Sequence, residues 1–515
     1  MCIRDSFYGL IPGGVSVLDD TDSDIQVPND INSFLWGQYV VPTEGGVWQK
    51  SNWQNIRNIN YFMTHYQSVQ AAEADVNIYV AEMRFFRALE YFNKIQLLGD
   101  VPWLEVDLNV DSEELYGPKM KRNQVFQKII EDLDFAIQWL PEAGSEEANR
   151  LNKDIARHVK ARFCLNEGTH YKYHDELEYA SEAEKWLQMA ATESDKLITS
   201  GRYEIYNTGH PQEDYFNMYR IDDKSDLKEA VLYVDYKTNI REHNMAAAGR
   251  EAGCGFSKSF VESFLCSDGL PISLSNKYLG DETMRKETAN RDPRLKQLIL
   301  TNDFPTNVTD DLKDSTFVVN EDEFITQHCF TGYRPIKGFN PIYSQALYMK
   351  SSFDGIAYRY AETLLINAEA KAELNTITNA DLDRTVNQLR DRVGMPHLTV
   401  NVGFTDPKWP DWGYSLSPVL QEIRRERCIE LAGEGFRFND LKRWKAGKLL
   451  NNVLTYVGKR KPDGNLAIVY PNYTNPDLSY QAGKSRTWED KMYLYPIPTG
   501  ELQRNPQLLP QNPGW

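Results

Sequence analysis

Residues 81–100, "AEMRFFRALEYFNKIQLLGD", carry the clearest helical pattern in the chain. Apolar side chains recur there three or four residues apart, which places them on one face of an α-helix: Phe85, Leu89, Phe92 and Ile95. Gly99 follows this stripe where a helix C-terminus is expected. An amphipathic helix buries its apolar face against another element, so the stretch predicts a helical protein.

Similar amphipathic segments recur toward both ends of the chain and extend this prediction. They lie at 123–141, 154–168, 181–201, 358–374, 379–394, 417–435 and 436–450. In the fifth, Asn379 or Asp381 is the expected N-cap; in the sixth, Ser417 is the N-cap and Pro418 the first helical residue. Short connectors join helices into units of roughly 34 residues, which favours tetratricopeptide-like packing. Plain amphipathic helix pairs would give much the same pattern.

The middle of the chain, about 202–350, differs from both flanks. Residues 229–237, "EAVLYVDYK", predict a strand, and Gly, Pro, Asn and Asp then become frequent. Loops on a rigid frame are where binding sites usually lie. We therefore expect a mainly α fold with few short strands and an irregular, loop-rich binding region.

The chain ends in "YLYPIPTGELQRNPQLLPQNPGW", residues 493–515, which holds five prolines. Proline opposes helix and strand interiors alike, whereas Tyr493, Leu494, Tyr495 and Ile497 are too apolar for a disordered tail. The pattern predicts a segment that lies extended against the helical body.

Composition excludes several classes of function. The chain has 57 basic and 74 acidic residues, a net charge of −17 and no cluster of Lys or Arg, so nucleic acid is not an expected partner. Electrostatic docking on an anionic membrane surface is not expected either. No apolar stretch approaches the roughly 20 residues of a membrane span, and the N-terminus lacks a signal-peptide pattern. Two interpretations remain at this point: a cytoplasmic protein, or a sequence whose true start is missing.

No motif indicates catalysis, a metal or a cofactor. Nucleophile, zinc-protease, phosphate-loop and dinucleotide patterns are missing, and acidic residues are so many that any pair is uninformative. Glu422 and Arg425, three residues apart, most simply form a surface ion pair. His170 and His174 have helical metal-ligand spacing but no third ligand. The six cysteines lack zinc-site spacing, so we expect buried or free thiols.

Aromatic residues are the more informative excess: 11 Trp, 29 Tyr and 22 Phe. Flat rings pack against the C–H faces of sugars, while polar side chains take the sugar hydroxyls. Rings in predicted loops are the candidates for this role, and each of them can equally well anchor its loop to the core: Trp36, Trp48, Trp103, Tyr333, Tyr343, Trp409 and Trp412. Four tryptophans within helical patterns are expected in the core: Trp53, Trp139, Trp186 and Trp444.

The longer strings of the chain resemble the SusD/RagB family, the nutrient-binding outer-membrane lipoproteins of Bacteroidetes. The resemblance rests on "AEMRFFRALEYFNKIQLLGDVPW", "KARFCLNEGTHYKYH", "NRDPRL", "YRYAETLLINAEA", "EIRRERCIELAGEGFRFNDLKRW" and the C-terminal string above. These strings occur in the family's order and cover about residues 50–515. Together they are specific, although each alone would be weak.

The resemblance implies a single SusD-like domain over 1–515, with an N-terminal part (1–250) and a C-terminal part (251–515) of one fold. Four tetratricopeptide-like helix pairs would form a right-handed superhelical frame. Family members capture glycans, or in some branches peptides, at the cell surface and act as a hinged lid on a SusC-like TonB-dependent transporter. As a rule they are not enzymes and carry no cofactor.

The N-terminus departs from the family pattern, because Cys2 has no apolar run before it and is not a credible lipidation site. The family therefore implies a truncated start, with the membrane reached only through a lipid anchor that this sequence lacks.

Ligand residues do not carry over by motif. Trp103 lies near the family's usual stacking position and is the first candidate, followed by Trp36, Trp48, Tyr333 and Tyr343. Trp409 and Trp412 resemble strings that recur in one branch of the family and are interpreted as structural.

Three alternatives to a glycan-binding protein stay open from the sequence. A peptide-binding relative of the same architecture is the nearest. An α-helical glycoside hydrolase would need two carboxylates facing each other roughly 5–10 Å apart across a cleft. A plain tetratricopeptide-like scaffold would show a groove lined by helix side chains.

Overall fold

The protein is built mainly of α-helices, as the sequence predicts, in a computed structural model that describes residues 7–14, 19–28, 32–146, 149–250, 253–307, 316–468 and 486–515. The long helices of the first half are α1 (Gln54–His65), α2 (Glu73–Leu98), α3 (Arg122–Trp139), α4 (Lys153–Tyr173) and α5 (Ala183–Thr199). Short helices follow in the irregular middle: α6 (Asp214–Met218), α7 (Met245–Arg250), α8 (Lys258–Ser263), α9 (Met284–Thr288) and α10 (Arg294–Leu298). The second helical part contains α11 (Tyr360–Glu373), α12 (Asn379–Asp383), α13 (Val386–Arg392), α14 (Pro418–Glu430), α15 (Arg437–Arg443) and α16 (Thr499–Arg504).

The strands are short and form only two-stranded antiparallel sheets among the described residues. The pairs are β1 (Gln26–Pro28) with β3 (Cys254–Phe256), β2 (Ala230–Val234) with β6 (Gly355–Arg359), β4 (Pro305–Asn307) with β5 (Thr316–Phe317), and β7 (Val457–Arg460) with β8 (Leu466–Ile468). Strand β2 falls within the predicted 229–237 segment. Each pairing joins distant parts of the chain or closes a loop, so the sheets hold irregular segments together on a helical frame.

Helix α2 shows why the apolar stripe of 81–100 folds as it does. Phe85 and Ile95 on the stripe are fully buried, and the helix ends at Gly99, which has φ +73°. A Cβ at Gly99 would lie 2.9 Å from a methyl group of Leu494. Glycine is therefore needed there both for the backbone conformation and for the close approach of the C-terminal segment.

Neighbouring helices pack in pairs around one large core. Helix α2 packs on α3, α4 on α5, and α11 on α5, α4 and α14. This core includes Leu133 and Leu187 from the first 250 residues together with Leu364 and Ile423 from the rest. The helical fold class is thereby confirmed; a single domain over 1–515 stays a prediction.

Two details of the second helical part differ from the sequence prediction. The 379–394 pattern forms two helices, and Thr378 is the N-cap: its hydroxyl accepts the Asp381 amide at 3.2 Å in a capping box. The expected pair of Glu422 and Arg425 exists at 3.1 Å but is buried, because other elements cover that face of α14. Ser417 caps α14 as predicted.

The C-terminal segment does lie against the helical body, although α16 interrupts its extended course. The Tyr495 amide donates to the carbonyl of Leu97 at 2.8 Å, and the Asn512 side chain donates to that of Leu98 at 2.9 Å. The segment thereby satisfies carbonyls that the end of α2 leaves without helical partners. Tyr493 and Ile497 are buried there.

Candidate glycan-binding groove

Trp103 stands at the entrance of the loop that follows α2. Its ring packs on Tyr91 with 4.1 Å between centroids, and the Arg87 guanidinium lies 5.2 Å from it. The Leu104 amide donates to the Tyr91 hydroxyl at 2.7 Å, which fixes the loop to the helix. Burial raises the pKa of Tyr91. Trp103 is half-buried, so it anchors the loop and still presents part of its surface.

Trp48 belongs to the same part of the molecule. Its ring lies 5.1 Å from that of Trp53, where two 3₁₀ turns lead into α1. The Lys94 ammonium of α2 lies 5.4 Å from the Trp53 ring, and burial lowers the pKa of Lys94. Trp53 and Trp139 are only partly buried, which corrects the expectation of core residues, whereas Trp186 and Trp444 are buried as predicted.

A cavity of about 420 Å³ lies between α1 and the loop that begins at Trp103. It is lined by Trp53, Gln54, Arg57 and Asn60 on the helix side and by Leu104, Val106 and Val110 on the loop side. The loop is held to α1 by the Asn60 side chain, which donates to the Leu104 carbonyl at 2.9 Å. The Thr64 hydroxyl accepts the Asp107 amide at 3.1 Å. Trp48 and Trp103 thus flank this cavity without lining it.

A second cavity of about 290 Å³ lies at the C-terminal end of α1, where the chain turns into α2. Its lining is rich in rings, among them Tyr61, His65, Tyr66 and Tyr79. The Tyr61 and His65 rings stack at 4.2 Å, and Tyr61 and Tyr79 are 47% and 44% exposed. The two cavities share no lining residue and lie on different sides of α1; we call the two together the α1 groove.

Sequence reasoning missed the second cavity. Two rings of α1 are followed four residues later by another ring: Tyr61 by His65, and Phe62 by Tyr66. This i, i+4 spacing places partners on one helix face and was the available signal. Tyr79 lines the same cavity only because the chain reverses between α1 and α2, and no local sequence pattern predicts that reversal.

The other predicted ligand residues lie outside the α1 groove. Trp36 packs edge-on against Tyr456 at 5.7 Å, beside the C-terminal segment. Tyr343 is 45% exposed on an irregular surface that also exposes Tyr348 at 78%. The structure therefore brings Trp48 and Trp103 to one region and leaves Trp36 and Tyr343 elsewhere.

Tyr333 does not fit the ligand-binding role predicted from the sequence. Its side chain is fully buried, and its hydroxyl lies 2.8 Å from both carboxylate oxygens of Glu287. Burial, followed by the charge of Glu287, raises the pKa of Tyr333. A ring that offers no face to solvent cannot stack on a ligand, so we leave Tyr333 out of the candidate site.

His170, His174 and Cys428 pack within the fold. The buried His170 and His174 rings stack at 4.0 Å, and burial lowers the pKa of His170 well below its usual value. No group of three metal-ligating side chains occurs within the described residues. Cys428 is a free thiol whose pKa burial raises to about 12. Cys2 lies outside the described residues.

Among the described helices, none is both long and apolar enough to cross a membrane.

The groove itself offers two kinds of interaction: half-exposed rings that can stack, and polar side chains that can donate or accept hydrogen bonds. Asp75 is the only carboxylate in the lining of its two cavities.

This chain is similar in sequence and in architecture to known proteins of one family. The SusD family model, SusD_RagB, matches residues 199–515. SusD-like protein P2 of Formosa agariphila is 25% identical over 456 residues, which cover 86% of this chain and 75% of that protein. A solved SusD-like protein from Bacteroides fragilis has a TM-score of 0.75 at 23% identity, covering 99% of this chain and 96% of that one. A SusD-like carbohydrate-binding protein from the same species has a TM-score of 0.70 at 21% identity, with 98% of each chain covered.

The family match covers well over half of the chain, and the structural likeness extends over nearly all of it. The chain therefore belongs to the SusD family, the SusD-like carbohydrate-binding proteins of the Bacteroidetes cell surface.

Proposed function

We propose that this chain binds oligosaccharide at the cell surface and that the α1 groove is its binding site. The observation that carries the proposal is a group of accessible rings around α1: Trp53 just before the helix, Tyr61 on it, and Tyr79 on the neighbouring α2. Sugar rings stack on such faces because their axial C–H bonds form an apolar patch that matches a flat aromatic surface.

The polar groups of the groove complement such a ligand. Asn60 is buried, its amide nitrogen donates to the Leu104 carbonyl, and its Oδ1 has no hydrogen-bond partner among the described residues. This oxygen is closed to solvent, so a sugar hydroxyl in the cavity that Asn60 lines would pair it only after a shift of the side chain. The Arg57 side chain is 60% exposed and lies 4.0 Å from Asp107, so it remains available to a ligand.

The groove suits binding better than hydrolysis. Glycoside hydrolysis uses two carboxyl groups that face each other across the scissile bond. Asp75 has no carboxylate opposite it in the lining of either cavity. The lining therefore does not match the two-carboxylate arrangement of a glycoside hydrolase.

The physiological partner in this proposal is a SusC-like TonB-dependent outer-membrane transporter. The chain would close over the transporter as a lid once sugar is bound, a population shift driven by contacts made only in the closed state. Family membership alone supports this partnership, the outer-membrane location and an N-terminal lipid anchor.

A peptide ligand is the second candidate, and one observation favours it. The loop side of the first cavity is aliphatic, with Leu104, Val106, Leu108 and Val110. Such a wall suits apolar peptide side chains as well as the edge of a sugar.

The decisive experiment is native affinity electrophoresis through gels that contain different neutral polysaccharides, run beside a peptide-binding assay. Some polysaccharide should retard the wild-type chain, with no release of reducing sugar. The double variant Tyr61→Ala/Tyr79→Ala should lose about fivefold to 150-fold in affinity, since each ring face contributes roughly 0.5–1.5 kcal/mol.

Tyr348→Ala is the matched control, because this ring is 78% exposed and lies outside the groove. It should migrate as the wild type does. If Tyr348→Ala weakens retardation and the double variant does not, the site has been assigned to the wrong surface. Binding of peptides without retardation in any gel would favour the second candidate, and sugar release would contradict the non-catalytic proposal.

A further inference from the structure

A cavity of about 570 Å³ lies far along the chain from the α1 groove, beneath the loop of residues 406–412. Helices α8 and α14 and the turn at 448–455 form its other sides. Its volume falls within the roughly 300–1,000 Å³ that small-molecule sites occupy. Nothing in the fold assigns a role to it.

Trp409 presents an aromatic face to this cavity and is held in one orientation. Its indole nitrogen donates to Oε1 of Glu422 at 2.7 Å, and the same carboxylate lies 3.1 Å from Arg425. The Trp409 ring is only partly buried and lines the cavity, with Phe404 at 6.0 Å. The structural role expected from the sequence is therefore real, but it leaves ring surface available.

Asp406 makes the loop rigid before any ligand arrives. Its carboxylate accepts the Lys408 amide at 2.9 Å and the Ser273 hydroxyl at 2.9 Å, and it pairs with Arg425 at 2.7 Å. The Trp409 amide donates to the Asp406 carbonyl at 3.2 Å. A ring held in this way loses little freedom on binding, which is the condition for a preorganised site.

The charges of the lining oppose one another, which indicates the chemistry of an occupant. Lys408 pairs with Glu262 at 3.0 Å, and Arg437 with Asp24 at 2.7 Å. Lys448 and Asp411 add one lining charge of each sign, so the cavity offers many hydrogen-bonding groups and little net charge. Such a lining favours a neutral, hydroxylated ligand over a phosphate or another strongly charged group.

The remaining lining has the two characters that a sugar ring requires. Phe260, Ile272 and Leu449 supply apolar wall, and the exposed Asp411 and Asn452 lie at the polar rim. A pyranose has an apolar face and a hydroxylated edge, so it can meet both at once.

We infer that the cavity beneath the 406–412 loop is a second saccharide-binding site, separate from the α1 groove, with Trp409 as its stacking ring and a neutral mono- or disaccharide unit as its ligand. The inference rests on the proposed function for the class of ligand and names a different site. Two sites on one chain would let a single polysaccharide strand be held at two places, which raises avidity without any new contact at either.

The test is fluorine NMR of the full chain labelled with 5-fluorotryptophan. Trp409→Phe and Trp53→Phe assign the two resonances that report the cavity and the α1 groove. Neutral disaccharides of glucose, mannose, galactose and xylose are titrated one at a time. The expected result is a saturable shift of the Trp409 resonance with at least one of them, which persists in Tyr61→Ala/Tyr79→Ala.

A variant series checks that the ring itself is responsible. Trp409→Ala should weaken binding at the cavity roughly tenfold, followed through a fluorotryptophan nearby such as Trp412, whereas Trp409→Phe should keep most of the affinity. Melting temperatures of both variants exclude unfolding as the cause. Equal loss in the two variants would mean that the ring face is not the contact, and would overturn the assignment.

The outcomes separate this inference from the proposed function. If the Trp53 resonance moves and the Trp409 resonance does not, the second site is wrong and the groove stands. If only the Trp409 resonance moves, the second site is supported and the groove is not the glycan site. If neither moves with any sugar, both assignments fail, and a response of Trp409 to peptides alone would likewise overturn the saccharide site.

Discussion

The α1 groove and the interior around Glu430 differ in how their charged side chains are paired and exposed. In the interior, the Glu430 carboxylate lies 2.6 Å from Arg359, 2.6 Å from Arg392 and 3.0 Å from Arg294, and all four side chains are buried. In the groove, Arg57 is exposed with a carboxylate no nearer than 4.0 Å, and Asn60 keeps an unpaired oxygen.

This difference separates structural polarity from polarity that is available to a ligand. Burial alone would raise the pKa of Glu430, but the three guanidinium groups hold it well below its ordinary value. A strongly shifted pKa often marks a functional site. Here the shift belongs to a carboxylate that is already paired with three guanidinium groups, so the exposed Arg57 of the groove is the better candidate for a ligand contact.

The largest effect on stability is expected when the central charge of the interior is removed. Glu430→Gln should lower the free energy of unfolding by about 3–5 kcal/mol, because three buried guanidinium groups lose their shared carboxylate. Urea unfolding followed by circular dichroism measures this loss.

Glu204→Gln provides the control, since that side chain is 64% exposed and pairs with Lys228 at 3.1 Å on the surface. It should cost less than about 1 kcal/mol. A similar small cost for Glu430→Gln would show that burial does not distinguish the two regions.

Trp103 tests the boundary between the regions, because it packs like a core residue at the edge of the groove. Truncating a fully buried Trp costs about 3–5 kcal/mol, and Trp103 is half-buried, so Trp103→Ala should cost about 2 kcal/mol. Affinity in the polysaccharide gels should also fall, since the loop loses the packing of the Trp103 ring on Tyr91 and keeps only the hydrogen bond of the Leu104 amide. Trp103→Phe should recover most of the stability; a full loss of affinity at unchanged stability would instead make Trp103 a direct ligand contact.

The helical frame was predictable because its signals are local. Segments 123–141 and 181–201 correspond to α3 and α5 within a few residues, since apolar spacing and stop residues lie inside each helix. The break between α12 and α13 was not predictable, because it depends on packing that overrides a continuous pattern.

The polar interior could not be read from the sequence. The string "EIRRERCIE" of α14 looks like a solvated helix face, and charged residues are rarely buried unless paired. The partners that make burial possible come from far along the chain: Arg359 meets both Glu430 and Glu229. Only the fold brings these side chains together.

The candidate site was predictable in part for the same reason. The loop position of Trp103 is a local feature, and it points to the part of the first half where the proposed groove lies. The burial of Tyr333 and the meeting of Tyr61 with Tyr79 depend on how loops and helix ends fold back, which composition and spacing do not state.

Lys442 makes the stability of the interior depend on pH. Its ammonium is buried, donates to the Gln96 carbonyl at 2.7 Å, and has a pKa lowered by burial from 10.5 to about 7. Between these two values the unfolded chain holds a proton that the folded chain has released. The free energy of unfolding should therefore rise with pH in this window, by about 1.4 kcal/mol per pH unit from this residue. Lys442→Met should make the rise shallower by that amount in urea unfolding at pH 7 to 9; an unchanged slope would mean that the buried lysine keeps an ordinary pKa.

Arg57 and Arg392 carry the same group in the two settings, and the smallest expected effect belongs to Arg57. Arg57→Gln should change the free energy of unfolding by less than about 0.5 kcal/mol, because an exposed side chain 4.0 Å from Asp107 contributes little. Affinity for the retarding polysaccharide should still fall about threefold, the worth of one exposed hydrogen bond. Lys228→Gln removes an equally exposed cation outside the groove and should leave both quantities unchanged. A stability loss without an affinity loss would place Arg57 with the structural charges, and the contrast between groove and interior would then not identify the site.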